Sequence, residues 1–320
     1  MSETKIIYEG ESFERMHRSC LGSSAIAAIA GVSRWKTALE VWGYMTGKLA
    51  AIEENDAMWL GTQIQPILGQ LFTRRTRFSV KANAFSFHHP KFPWAVATPD
   101  FFVFDGATVI SALETKNTGA FARQVWEEGL PDEAHAQVTW QIGILKQYPE
   151  YAHIEKAFVA ALVGGSVRDF HIKEIPFSQS LFDTLLELGE KFMTEYVKKD
   201  IAPEITADDT EIINALTSHP SKHIDLSGDA YLCAQIENYK ELKKMRGQIE
   251  TRQKELGAKL KEIENIVRFK LNGFDSAQFG KTKVALKTVE RGDYEVKATS
   301  YIQFKLIEDK ENGTETDAIK

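Results

Sequence analysis

The sequence predicts an α/β fold, a mixed central sheet flanked by helices, followed by a helical and β C-terminal extension. Three observations carry this reading. Apolar residues recur at helical spacing between positions 23 and 74, alternate in the manner of strands between 78 and 116, and return as a helix and two strands between 133 and 175. With 320 residues, 43% hydrophobic and 11% aromatic, the chain can bury a sizeable core.

Ser23 to Ala30 and Thr37 to Met45 are predicted as two short helices, because Ile26 and Ile29, then Leu39, Trp42 and Met45, recur at helical steps on either side of Gly31. A longer helix is expected from Ala57 to Arg74, where Leu60, Ile64, Ile67, Leu68, Leu71 and Phe72 form one stripe that ends in the basic cluster Arg74, Arg75 and Arg77. From Phe78 to Lys116 the segments FSVKANAFSF, FFVF and VISALETK, separated by turn signals at Pro90, Pro93 and Gly106, predict a three-stranded antiparallel meander. A helix over Glu133 to Gln147 follows, then strands in IEKAFVAALVG and RDFHIKEI around the Gly164-Gly165 turn, then a helix from Phe177 to Lys198. The expected order of the core is α-β-β-β-α-β-β.

A polar, proline-marked connection begins near Asp200 and sets a domain boundary near Ala215, giving a core of residues 1–215 and an extension of 216–320. In the extension, Leu232, Ile236, Tyr239, Leu242, Met245, Ile249, Leu256, Leu260, Ile263 and Val267 predict a long amphipathic helix or a helical hairpin. Gly247 and Gly257 weaken the continuous version. TKVALKTV and ATSYIQFKL alternate like strands, and a polar, disordered tail is expected after Asp309.

Cys20 and Cys233 match neither a disulfide framework nor a zinc spacing, which points to a reducing compartment. The charged N-terminus lacks an apolar signal region, and no apolar run approaches the roughly 18 residues that a membrane span requires. The expectation is a cytoplasmic protein without membrane partners. A net charge of −6 excludes a uniformly basic nucleic-acid coat but leaves room for a local basic groove.

The chemistry centres on TPDFFVF and, fourteen positions after Asp100, LETKN. In a strand Glu114 and Lys116 project to one face while Leu113 and Thr115 face the other, and a hairpin brings Asp100 beside them. Two carboxylates suit a hard cation, Mg²⁺ or in its place Mn²⁺, which polarises a phosphoryl oxygen and acidifies bound water. A lysine there orients the attacking water and offsets charge in the transition state. The Glu-x-Lys pair alone is weak, since it recurs at Glu241/Lys243, Glu295/Lys297 and Glu308/Lys310, where it reads as a solvated pair. Its apolar strand context and the preceding Pro-Asp set the copy at Glu114 apart.

Five segments in sequence extend the pattern. LGSSAIAAIAGVSRWKTALEVW, WLGTQIQPILGQLF, TPDFFVF with LETKN, HAQVTWQIGIL and VAALVGGSVRDFHIKEI together resemble the YqaJ-like viral recombinase and lambda-exonuclease-like family of the PD-(D/E)XK nuclease superfamily, over residues 18 to 175. The resemblance implies a restriction-endonuclease-like core and a metal-dependent 5′ to 3′ exonuclease acting on double-stranded DNA ends. It further implies a homo-oligomer, often a trimer, working with a single-strand-annealing protein in phage-type recombination. Carried over by position, Asp100 and Glu114 become metal ligands with the Thr115 carbonyl as a third, Lys116 the water-positioning group, and Gln137 the family glutamine near the site. Ser24 and Arg18 fall where the family binds a terminal 5′ phosphate; a plain helix N-cap and a surface arginine are the competing readings. Gln65 departs from the pattern, which has Glu there: an amide keeps the shape and loses the charge. The alternative function is therefore a DNA-end-binding or scaffold protein on a nuclease fold, with activity reduced by Gln65.

Other signals carry less. Gly280-Lys281-Thr282 lacks the glycine a phosphate loop needs at Asp275 and reads as a turn. His88 and His89 are adjacent and point to opposite faces of a strand. Trp35, Trp126 and Trp140 are expected in the core, with base-stacking platforms as the weaker alternative.

Overall fold

The computed structural model describes residues 5–8, 11–50, 53–217 and 223–286. The chain divides into two units, Met1–Ser221 and Lys222–Lys320. The first opens with a short strand β1 (Lys5–Ile6) and helices α1 (Glu11–Ser19), α2 (Ser23–Ile29), α3 (Ala38–Met45) and α4 (Asp56–Arg75). Strands β2 (Ser79–Ala82), β3 (Ser86–His88), β4 (Val96–Ala97), β5 (Phe101–Asp105) and β6 (Thr108–Thr118) follow, then α5 (Arg123–Glu128) and α6 (Asp132–Leu145). Strands β7 (Lys156–Val163) and β8 (Phe170–Pro176) and helices α7 (Gln179–Lys191) and α8 (Thr210–Leu216) complete it.

The central sheet has the order β2-β5-β6-β7-β8, antiparallel except for the parallel β6/β7 pair at its middle. A parallel pair needs a long crossover, and α5 and α6 supply it. Strand alternation sorts the core into two layers. Ala157, Val159, Ala161 and Val163 of β7 pack on the side of α6 and α2, with Ile26, Trp140 and Ile142. Phe158, Ala160 and Leu162 pack on the side of α4, with Leu68, Phe72 and Leu113. This is the mixed sheet between helices that the sequence predicts.

Local chemistry explains where the helices start. Asn55 accepts the Ala57 and Met58 N–H groups at the head of α4, Thr37 caps α3, and Ser178 caps α7.

Three sequence expectations are corrected. FSVKANAFSF is two strands rather than one, because Asn83 breaks it: its Nδ2 donates to the carbonyls of Phe85 (2.7 Å) and Pro99 (3.0 Å), and its Oδ1 accepts from Phe85 N–H (3.0 Å). β2 stays in the central sheet, while β3 joins β1 and β4 in a second, three-stranded sheet. α1 was not foreseen, since ESFERMHRS is mostly charged and Met16 is its buried apolar contact to the core. The boundary expected at 215/216 falls inside α8, whose Ile212, Ile213 and Leu216 pack with Leu39, Trp42 and Phe192. The connection after Asp200 therefore ends in a docked helix rather than running free into the extension.

In the second unit α9 (Ala230–Leu271) is one uninterrupted helix of 42 residues rather than a hairpin, with Asp229 capping its start. Gly247 and Gly257 are accommodated within it. A hairpin of β9 (Ser276–Phe279) and β10 (Thr282–Ala285) follows, and Gly280, at φ +59°, makes its turn. The Gly280-Lys281-Thr282 run thus serves a turn. ATSYIQFKL and the tail after Asp309 lie outside the described residues.

α6 and α7 meet at Gly143, where an added Cβ would lie 2.0 Å from the Phe182 ring. Gly143→Ala should therefore destabilise the fold by about 1–3 kcal/mol through overpacking. Urea unfolding would read this, and an unchanged midpoint would mean that the two helices do not cross there.

Candidate active site

The site forms where β5 leaves β6. The antiparallel register places Phe101 opposite Leu113, so one step earlier in β5 Asp100 comes opposite Glu114. Asp100 is no longer in the ladder, and its Oδ2 accepts from the Thr115 backbone N–H (2.8 Å) and the Thr115 hydroxyl (2.6 Å). A carboxylate thus takes the place of a strand partner. The N–H and C=O of one strand residue point to the same side, which turns the Thr115 carbonyl toward Asp100 as well.

Glu114 and Lys116 share the face of Ala112, which is the α6 side of the sheet. There Lys116 Nζ donates to Glu114 Oε1 (2.8 Å) and to Gln137 Oε1 (2.6 Å). Gln141 Nε2 donates to the other carboxylate oxygen, Glu114 Oε2 (2.8 Å), and approaches Ser23 Oγ (3.4 Å). Two amides one helical turn apart on α6 therefore hold the Glu-x-Lys pair in place. Gln141 Oε1 is buried without a hydrogen-bond partner.

Electrostatics follow from this crowding. Burial and the neighbouring Glu114 push the Asp100 carboxyl up to about 7, against the opposing pull of the Thr115 hydrogen bonds and Lys116. Burial draws the Lys116 ammonium down, yet Glu114, Asp100 and Glu133 outweigh it and hold its pKa above the ordinary lysine value.

The donor set is entirely oxygen: Asp100 Oδ2 takes both Thr115 hydrogen bonds and leaves Oδ1 open among the described residues, while Glu114 Oε1 and Oε2 each keep a lone pair beyond one hydrogen bond. Among the described residues no group of three His, Cys, Asp or Glu side chains converges. The residues present fit a hard divalent cation taken by one or two carboxylates and completed by a backbone carbonyl, water and substrate, which is the habit of Mg²⁺.

The remaining sequence candidates fall elsewhere or at the margin. Gln65 is half-buried on α4, in step with Leu68, Gly69 and Phe72, on the face that packs against the sheet. No hydrogen bond joins it to Asp100, Glu114 or Lys116 among the described residues. Gly69, one turn further, lies against the ring of Phe101, the residue after Asp100. Arg18 is engaged by α3 and its own helix. Its guanidinium lies 4.5 Å from the Tyr44 ring centre, donates to the Tyr44 carbonyl (2.9 Å) and pairs with Glu14 (3.2 Å). Ser24 is exposed in the first turn of α2, whose N-cap is Gly22, so the capping role also fails. Its neighbour Ser23 is the serine that reaches the cluster. Sequence reasoning missed Gln141 and Ser23; the four-residue spacing from Gln137 was the available signal for Gln141. Trp126 and Trp140 are buried as expected, whereas Trp35 is exposed. His88 and His89 are buried in local hydrogen bonds, His88 with Tyr8 (2.9 Å) and the Pro93 carbonyl (2.7 Å).

The raised Asp100 pKa has a stability consequence in metal-free protein. Between about 4 and about 7 the folded chain keeps a proton that the unfolded chain releases, so this group's contribution declines as pH rises through that window. Asp100→Asn cannot ionise and should flatten that part of the profile. The check is urea midpoints at pH 5 and pH 8 with chelator; parallel profiles for parent and variant would show that Asp100 is not strained by its neighbours.

The chain is similar to several known proteins. Residues 12–146 match the YqaJ-like viral recombinase domain, a span that includes Asp100, Glu114, Lys116, Gln137 and Gln141. The chain is 26% identical over 278 residues to the uncharacterized protein YqaJ of Bacillus subtilis (strain 168), covering 85% of this chain and 81% of that protein. Among solved structures, an alkaline exonuclease from Laribacter hongkongensis is 16% identical with a TM-score of 0.47, covering 60% of this chain and 94% of that one. A phage related exonuclease from Haemophilus somnus 129PT is 13% identical with a TM-score of 0.40, covering 59% and 98%. Over residues 12–146 the chain is thus similar to the YqaJ-like viral recombinase domain, and over 278 residues it is similar to YqaJ.

Proposed function

We propose that this chain is a metal-dependent exonuclease that degrades double-stranded DNA from its ends, 5′ to 3′, in phage-type recombination. The observation that carries the reading is the meeting of Asp100 and Glu114 at one end of the β5/β6 pair, with the Lys116 ammonium 2.8 Å from Glu114. The similarity to the viral recombinase domain and to YqaJ supports the biological setting. Mg²⁺, with Mn²⁺ as its substitute, is the proposed cofactor, held by Asp100, Glu114 and the Thr115 carbonyl. A homo-oligomer, a trimer by family resemblance, and a single-strand-annealing protein are the proposed partners. Among the described residues no helix is long and apolar enough to cross a membrane.

A divalent cation at these ligands supplies Lewis acidity toward a phosphoryl oxygen and lowers the pKa of bound water. The chain's own residues do the rest. Lys116, its charge maintained by three surrounding carboxylates, orients the attacking water and offsets negative charge as it builds on phosphate. Gln137 fixes Lys116, and Gln141 fixes Glu114, so that neither needs to reorganise when substrate arrives.

The second reading, an end-binding protein with weakened chemistry, rests on the amide at Gln65. Gln65 is half-buried on the sheet side of α4, at the position where the resembled family's pattern has Glu.

Asp100→Ala or Glu114→Ala should abolish Mg²⁺-dependent degradation of end-labelled duplex while circular dichroism stays unchanged. Lys116→Ala should slow single-turnover cleavage by about 10²–10³-fold. Folded variants that digest DNA at the parent rate would remove these residues from the chemistry. Gln65→Glu should raise the rate at limiting Mg²⁺ by about tenfold, since only about 1.4 kcal/mol is needed. Superimposable Mg²⁺ titrations of parent and Gln65→Glu would show that position 65 does not act on the site.

A further inference from the structure

Lys116 has a second neighbourhood. Beside it lies a cavity of about 180 Å³ whose walls include Arg34, Trp35, Asn117, Phe121 and Glu133, above a floor containing the buried Trp126. Trp35 is 69% exposed and Phe121 73% exposed, the two most exposed large apolar side chains among the described residues of Met1–Ser221. Aromatic rings left in water cost free energy unless something covers them, and these two belong to the same cavity at the edge of the acid site.

Both are presented by ordered backbone. The loop between α2 and α3 folds around Ser33, whose Oγ accepts from the N–H groups of Trp35 (3.2 Å) and Lys36 (3.3 Å) and donates to Glu133 Oε1 (3.1 Å) on α6. Phe121 sits in a 3-10 turn, Ala120–Ala122, with its ring so close to Gly119 that an added Cβ there would lie 2.5 Å away. Behind that turn Ala120 packs on Gly164, at 3.2 Å from a Cβ built there. The rings are therefore held outward by the fold.

The cavity's chemistry selects its occupant. It is smaller than the roughly 300–1,000 Å³ of a site for a drug-sized ligand, so it suits one flat ring system. A phosphate would meet the Glu133 carboxylate. A neutral nucleobase meets aromatic faces, an Asn117 amide that can pair with its edge, and the Arg34 and Lys116 cations beside the sugar-phosphate chain. Because Lys116 belongs both to this cavity and to the acid cluster, a strand with its phosphate at Asp100 and Glu114 has a base within reach of the rings.

We propose that Trp35 and Phe121 form a stacking surface for an unpaired base of the DNA strand end being degraded, and so position the scissile phosphate. This rests on the nuclease reading and deepens it. The two are positioning residues; they take no part in bond breaking. Their contribution is to hold the separated strand end, so it appears in substrate affinity more than in the chemical step.

The experiment uses the full chain and end-labelled duplexes whose terminal nucleotide carries a normal base, 2-aminopurine or no base, at the 5′ or the 3′ end in separate substrates. Trp35→Ala and Phe121→Ala should each raise KM about tenfold, about 1.4 kcal/mol, with a smaller change in kcat. Trp35→Phe should restore most of the loss. Quenching of 2-aminopurine by the parent should disappear in the alanine variants. An abasic end should raise the parent's KM comparably and leave the variants no further to fall. Unchanged KM and quenching in the variants, or an equal loss on normal and abasic ends, would overturn the stacking role while leaving the nuclease assignment in place. Unchanged DNA kinetics with an altered association state would assign the rings to a protein contact and overturn it too. If the parent neither binds nor degrades any of these duplexes, the nuclease reading fails first and the proposal with it.

Discussion

Everything at this site depends on keeping two carboxylates side by side in a poorly solvated corner. Like charges a few ångströms apart repel and each loses hydration, so the arrangement persists only with compensation. Here compensation comes in layers. The Thr115 N–H and hydroxyl satisfy Asp100, Lys116 satisfies Glu114 from one side and Gln141 from the other, and Gln137 takes up the remaining reach of Lys116. What these groups leave uncompensated is visible in the Asp100 carboxyl, which holds its proton up to about 7. That residue of strain is the physical basis for expecting a cation.

The sheet makes the arrangement possible because it separates duties by face. On the α6 side, alternate positions 112, 114 and 116 pass from a buried alanine to the acid and the lysine, so the reactive groups emerge directly from the core layer. On the α4 side, Leu113 belongs to an apolar layer with Leu68 and Phe72, which anchors the same strand from behind. Asp100 stands at the end of the neighbouring strand, where the antiparallel ladder has stopped. The site thus combines a strand anchored on both faces with a point in the sheet where a backbone donor, the Thr115 N–H, is taken by a side chain.

Much of this was legible in the sequence, and the losses have identifiable causes. Strand alternation and helix periodicity located α2, α3, α4, α6, β7 and α7 closely, and Asp100, Glu114, Lys116 and Gln137 were all named from it or from family resemblance. The break at Asn83 was hidden because it is made by hydrogen bonds to Phe85 and to Pro99, and the second partner is distant in sequence. Gln141 looked like any buried helix residue until α6 was seen to lie over Glu114. Arg18 and Ser24 were assigned by position within a pattern, but helix packing committed Arg18 to Tyr44 and presented Ser23 instead of Ser24 to the cluster. Trp35 was misjudged because composition favours burial for tryptophan, and only the Ser33 turn reveals that the ring is turned outward.

The parallel pairing of β6 with β7 also gives the site a history during folding. Asp100 and Glu114 sit on adjacent arms of a hairpin, so their meeting requires closure of only a short loop, whereas Gln137 and Gln141 arrive with the crossover helix after the chain has passed beyond β6. Short-range contacts form with less entropy to overcome than long-range ones. The acids are therefore brought together before the amides that steady them, and the hairpin first closes with that end of its ladder under electrostatic load. Protonation of one carboxylate removes that load, so closure of this hairpin is expected to be easier in acid than in base.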